Sequence, residues 1–276
     1  MSGFGASKNA PTKTKPFEGK TLAELFTPAT DLPKIRWLKL GIWGPPKVGK
    51  SYFTMTNPKG KIFVIDTEGS AKTTVQTFPE SVQKRIFIFD VLEHATTKDD
   101  DIDYDHLVAV LEDIIKRTSQ AIKEEGGENV TIVIDSATDI WDWLAIWVTE
   151  LPGVKHIGAD KDKVNRLEWG KPNKKYAEIF RNLLMADCNV ILTFIAKETV
   201  DGTGQTIGIE PRWQKNTFRW LDVVAQFEKI GDRRTLKFSG SKNVGGRIVD
   251  KMPDLENPDW SKLCAHIEKH TGVKFE

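Results

Sequence analysis

The chain has 276 residues, 39% of them hydrophobic and 29% charged, with a formal net charge of +1. That length suits one α/β domain, the apolar share is too high for a disordered chain, and the near-neutral charge does not announce a nucleic-acid binder. No apolar run nears the roughly 20 residues of a membrane-spanning helix, and two cysteines, Cys188 and Cys264, with no framework spacing fit a reducing, cytoplasmic setting without a membrane.

Residues 1–20 are polar and rich in Gly, Pro and Lys, with a basic start and no apolar core. They read as a flexible basic tail and not as a secretory signal. Residues 21–276 read as a single domain. A short helix is expected at 21–26, a strand at 38–43 and the start of a helix at 50–55. Short apolar runs bounded by turn residues follow at 61–66, 85–91, 131–135 and 189–195. Their continuous hydrophobicity is that of strands buried on both faces of a parallel sheet. Helical patterns at 106–122, 137–149 and 174–186 lie between them, and this alternation predicts a mostly parallel sheet with helices on both faces. Residues 199–216 are polar, contain Gly and lack periodicity, so a long functional loop is expected there. Segments 223–229, 234–239 and 247–249 read as short late strands, antiparallel in sense, and 259–270 as a closing helix.

Gly44-Pro45-Pro46-Lys47-Val48-Gly49-Lys50-Ser51 matches G-x-x-x-x-G-K-[ST] between an expected strand and an expected helix. Gly44 and Gly49 let backbone N–H groups turn inward around phosphates, where a side chain would block approach. The helix that begins near Lys50 points its positive end at the same anion. Lys50 is expected to reach the β- and γ-phosphates, and the Ser51 hydroxyl to sit on Mg²⁺. With Tyr52, these residues make up the expected nucleotide-binding segment, and the ligand is a nucleoside triphosphate.

The run Thr131-Ile132-Val133-Ile134-Asp135-Ser136 ends an apolar strand in an acid, which suits Asp135 for holding Mg²⁺ near Ser51. The alternative for Asp135 is a cap on the next helix. Ile65-Asp66-Thr67-Glu68-Gly69 ends the strand after the phosphate-loop helix. A carboxylate there can orient and polarise a water, so Glu68 is the expected catalytic residue beside Lys50. A kinase acting on a small molecule needs no such group.

The order of these three motifs resembles the RecA-like recombinase core, over roughly residues 38–250. The short chain, without an extra N-terminal domain, is more similar to the shortened RecA-core ATPases of bacteriophages and archaeal viruses, which accompany recombination and single-strand annealing. The resemblance implies an α/β RecA-like P-loop core that binds ATP and Mg²⁺ and hydrolyses ATP in response to DNA. It also implies single-stranded DNA, further copies of the chain and a single-strand-binding protein as partners, in a host cytoplasm if the source is viral. Loops beyond Asp135 and Ile195 are implied to face the DNA.

The family places Asn-Gln after the strand at 189–195, where the glutamine senses the γ-phosphate; this chain reads Ala196-Lys197-Glu198, with Lys197 as the substitute sensor. Phe26-Thr27-Pro28-Ala29 fits the family's F-x-x-A assembly pattern but lies closer to the phosphate loop than expected.

Charge is unevenly spread along the chain. Residues 90–128 hold twelve acids against four bases, and 197–251 hold eleven bases against seven acids, which leaves room for a basic groove although each block alone reads as a solvated face. Arg212, Trp213, Lys215 and Arg219 interleave cations with aromatics, the pattern that tracks phosphates and stacks bases in single-strand binding. Packing onto the core is the competing reading for Trp213, Phe218 and Trp220. Arg233, Arg234, Lys237 and Lys242 form a second basic group; the resemblance implies that a cation from this part reaches a neighbour's γ-phosphate, with Lys237 and Lys242 as the carriers and a surface face as the competing reading. Cys264, His266 and His270 do not make a zinc motif, and Trp141, Trp143 and Trp147 are expected to pack in the core. Two further readings stay open: a P-loop kinase or nucleotide switch without nucleic acid, and a module that holds ATP structurally.

Overall fold

A computed structural model describes residues 20–26, 28, 37–96, 101–158, 160–239, 243–244, 247–248 and 252–275. The chain divides into one unit of Met1–Lys34 and another of Ile35–Glu276. In the first, α1 (Leu22–Leu25) starts where the Glu24 carboxylate accepts from the Thr21 N–H at 2.7 Å. Residues 1–19 of the tail expected at 1–20 lie outside the described residues, as do Thr27, Ala29, Lys242 and Val249. No described helix is long and apolar enough to cross a membrane.

The second unit begins with β1 (Lys39–Gly44), α2 (Lys50–Thr54), β2 (Lys61–Asp66), α3 (Ala71–Val75), α4 (Glu80–Gln83) and β3 (Ile86–Asp90). Next come α5 (Val91–Ala95), α6 (Tyr104–Glu125), β4 (Val130–Asp135), α7 (Ala137–Glu150), β5 (His156–Ile157), β6 (Asp160–Val164) and α8 (Gly170–Leu184). The chain then runs through β7 (Asn189–Val200), β8 (Thr206–Pro211), a 3₁₀ turn (Thr217–Trp220), β9 (Val223–Ile230) and β10 (Arg233–Phe238). It ends with β11 (Asn243–Val244), β12 (Arg247–Ile248), β13 (Leu255–Glu256) and α9 (Trp260–Thr271).

The main sheet has the order β13-β10-β9-β1-β7-β4-β2-β3, with β8 joined to the last residues of β7. From β9 to β3 the strands run parallel, and β10, β13 and β8 are antiparallel to their neighbours. Every residue of β1 is buried, as the continuous apolar run requires of a strand covered on both faces. Side chains alternate between two core layers. Val190, Leu192 and Phe194 of β7 join the layer under α5, α6, α7 and α8, while Ile191 joins the layer under α2, α3 and α9. The α/β class, the mostly parallel sheet with helices on both faces and the late antiparallel strands are as expected.

Three local expectations are corrected. The segment 199–216 is not a structureless loop: β7 runs on to Val200, and β8 pairs back with Ala196 opposite Pro211 and Glu198 opposite Ile209. The Asp201 carboxylate closes the turn by accepting from the N–H groups of Thr203 (2.8 Å) and Gln205 (3.0 Å). Helix α8 starts at Gly170, before the expected 174, because Pro172 stands in the first turn, where its missing N–H costs no helical bond. Helix α2 has only five residues.

Register places the chemistry at one edge of the sheet. Gly44 at the end of β1 is opposite Ile195 of β7, and Asp135 at the end of β4 is opposite Asp66 of β2. Strand β7 separates the phosphate-loop strand from the strand that ends in Asp135. The carboxyl edge of a parallel sheet is where α/β folds bind ligands.

Candidate functional site

The loop from Gly44 to Ser51 is shaped by close approach. A Cβ on Gly44 would lie 2.3 Å from the Phe227 carbonyl oxygen, and Gly49 has φ 108°. Lys47 holds φ 63°, a left-handed conformation that costs an ordinary residue about 1–2 kcal/mol. The Lys50 ammonium is folded under the loop, donating to the carbonyls of Gly44 (2.9 Å) and Pro45 (2.8 Å). Burial lowers its pKa, and the charges of Asp135 and Glu68 pull it back up. A helix of barely more than one turn has a small dipole, so an anion here is held by loop N–H groups and Lys50, with less help from α2 than the motif suggests. Arg234 braces the loop from behind, its Nε 3.3 Å from the Val48 carbonyl oxygen.

Asp135 is 2% exposed. Its Oδ1 accepts from the Thr193 hydroxyl, and its Oδ2 has no hydrogen-bond partner among the described residues. A buried carboxylate oxygen left without a donor is costly unless something positive meets it. Asp66 is fully buried and accepts from the N–H groups of Glu68 (3.1 Å) and Ala71 (2.8 Å), shaping the turn that presents Glu68. Burial raises the Asp66 pKa against the pull of those two bonds.

Glu68 is exposed at the mouth of the cleft. Partial loss of solvent against the cleft wall, with the charges of Asp135 and Asp139, raises its pKa; a Ser136 hydrogen bond and Lys50 act the other way. Asp139 is held by the hydroxyls of Thr67 (2.7 Å) and Ser136 (2.8 Å).

These groups converge on one cleft of about 640 Å³, lined by Lys50, Ser51, Tyr52, Glu68, Asp135 and Asp139 among others. Pro46, Lys47 and Gly49 also line it, whereas the expected binding residues Gly44, Pro45 and Val48 are not among its lining residues. Sequence reasoning missed Asp139, Thr193 and the Arg234 brace. Asp139, one turn into α7 from Asp135, could have been found from its spacing; Thr193 carries no motif signal.

The cleft suits Mg²⁺ and a nucleoside triphosphate. Lys50 and the loop N–H groups match the phosphates, while the Ser51 hydroxyl and the unpartnered Asp135 oxygen match a divalent cation.

The expected sensor lies apart from these groups. Ile195 lines the cleft, but Lys197 is not among its lining residues and pairs across the hairpin with Glu210 at 2.9 Å. The residues expected to contact DNA follow that hairpin in the chain. Arg212 is exposed and pairs with Asp142 at 2.9 Å. Trp213 sets its ring edge-on against Phe194, centroids 5.2 Å apart, and so packs on the core. Lys215 and Arg219 are exposed, the latter over the Phe218 ring. Trp220 stacks on buried Tyr176, and Trp141, Trp143 and Trp147 pack against the same core layer. Of the late basic group, Lys237 pairs with Glu228 and Arg233 with Glu256.

The sequence profile of the AAA domain family matches residues 36–248. Among solved structures, an ATPase described as prototypical of the type III secretion system of pathogenic bacteria is similar at 11% identity and a TM-score of 0.43. That match covers 70% of this chain and 51% of the other. A RadB recombinase is similar at 15% identity and a TM-score of 0.37, covering 75% of this chain and 80% of the other. The chain thus spans about half the length of the secretion ATPase it matches. No curated protein matches it in sequence.

Proposed function

The chain belongs to the AAA domain family, and we propose that it is a RecA-like P-loop ATPase, stimulated by single-stranded DNA, that works with further copies of itself in recombination or strand annealing. The observation that carries the reading is a hydroxyl bridge between the cleft and the hairpin. Thr138 of α7 donates to the Arg212 carbonyl (2.8 Å) and accepts from the Ile195 N–H (3.0 Å). Ile195 lines the cleft, and Arg212 is the exposed cation at the hairpin's foot. A ligand that moves Arg212 therefore pulls on the wall of the nucleotide site.

Bound ATP with Mg²⁺ supplies the phosphoanhydride and a cation that spreads its charge. Lys50 and the loop N–H groups hold the phosphates, and Ser51 and Asp135 hold the cation. Thr193 fixes one Asp135 oxygen so that the other stays directed to that task. Glu68 orients a water and takes its proton, a role its raised pKa favours.

Steady-state ATP hydrolysis with and without single-stranded DNA tests this, with Lys50→Ala and Glu68→Gln as controls. Stimulation is expected, and each substitution should lower the stimulated rate by at least about a hundredfold. One observation favours a second reading, a kinase or nucleotide switch without nucleic acid: Lys197 and Arg212 already have carboxylate partners. Hydrolysis indifferent to DNA would select that reading.

A further inference from the structure

Tyr52 follows the phosphate-loop serine directly and lines the cleft with Lys47, Ser70 and Thr74. It is the sole aromatic among the described residues that line it. One face of its ring is covered by Phe78, with centroids 4.5 Å apart and planes 11° from parallel. Phe78 is itself 7% exposed, held in the core layer beneath α2. Yet Tyr52 remains 49% exposed, so its other face and edge meet solvent.

A half-exposed ring, backed by a buried one, beside a site that already fixes phosphates has a specific use. We propose that the open face of Tyr52 is the platform for the base of a purine nucleoside triphosphate, an inference that rests on the nucleotide reading above. The phosphate end of such a ligand would be anchored by Lys50 and the loop N–H groups, and Tyr52, the residue after Ser51, offers a flat apolar surface. Aromatic rings attract nucleobases by offset stacking, and the fused rings of a purine overlap a phenol more fully than a pyrimidine does. Phe78 restrains the ring before binding, so little side-chain freedom is lost when the base arrives. The bland alternative is that Tyr52 merely shields Phe78 from water.

The test is calorimetric titration of the full chain with ATP and, separately, with inorganic tripolyphosphate, both with Mg²⁺. Tyr52→Ala should weaken ATP by about tenfold and leave tripolyphosphate unchanged, because only ATP carries a base. Tyr52→Phe keeps the ring and should match the wild type for both ligands. CTP should bind the wild type more weakly than ATP and lose less in Tyr52→Ala. Equal losses for ATP and tripolyphosphate would overturn the proposal, since Tyr52 would then act on the loop itself. So would no loss for either ligand, or a Tyr52→Phe variant as weak as Tyr52→Ala. A wild-type chain that binds neither ligand would instead remove the nucleotide reading on which the platform rests.

Discussion

Glu68 shows how a single carboxyl is tuned by groups distant in sequence. Its pKa is raised first by partial burial and then by two like charges, Asp135 and Asp139. A base must be deprotonated to act, and kcat/KM reports ionisations of the free enzyme. The acidic limb of kcat/KM should therefore lie above the ordinary glutamate range, with the rate falling as pH drops through it. Asp139→Asn removes one like charge and should move that limb to lower pH; a limb that stays put would show that Asp139 has no hold on Glu68. At this scale the motif residues were legible: Lys50, Ser51, Glu68 and Asp135 do line one cleft. Their supports were not, because Thr193 meets Asp135 across 58 positions and Tyr52 meets Phe78 only once α2 and α3 have packed. No local pattern encodes such pairs.

The β7–β8 hairpin is the element where tertiary context overrode the reading of the chain. Ile207 and Ile209 alternate with Thr206, Gly208 and Glu210, but the run is short and all five residues are exposed, so no buried apolar face sets it apart from a loop. Their pairing follows from β7, whose first half is anchored between β1 and β4 and whose second half extends beyond the sheet. Thr138 ties this hairpin to the cleft, and Thr138→Val keeps the shape while deleting the hydroxyl. The Ile195 N–H and the Arg212 carbonyl would then each lack a partner, at about 1–3 kcal/mol for a buried group. The variant should melt earlier and lose severalfold in DNA stimulation while binding ATP as the wild type does. Retained stimulation at wild-type ATP affinity would break the proposed link between hairpin and cleft.

For the whole molecule, the proposed self-assembly has Phe26 as its sequence signal. Among the described residues Phe26 is a large apolar ring left 71% exposed. If it docks on another copy, Phe26→Glu should shift sedimentation velocity from an assembly to the monomer; an unchanged profile would discard the F-x-x-A reading. The same scale explains why one edge of the sheet carries the chemistry. Parallel strands present their carboxyl ends together, so the ends of β1, β4 and β2 at Gly44, Asp135 and Asp66 lie along one edge with Ile195 of β7, although 151 positions separate Gly44 from Ile195.

The amino-acid sequence by itself determined the parallel-sheet class, the phosphate loop and the two carboxylates, because periodicity and fixed motif spacing are local properties of a chain. The hairpin, the Thr138 bridge, the Thr193 support, the Arg234 brace and the Tyr52–Phe78 stack were decided by tertiary structure. Each joins segments that become neighbours only when the strands take their order in the sheet and the helices close on it. Burial then decides the rest: it removes solvent from Asp135 and Lys50, and it leaves one face of Tyr52 uncovered.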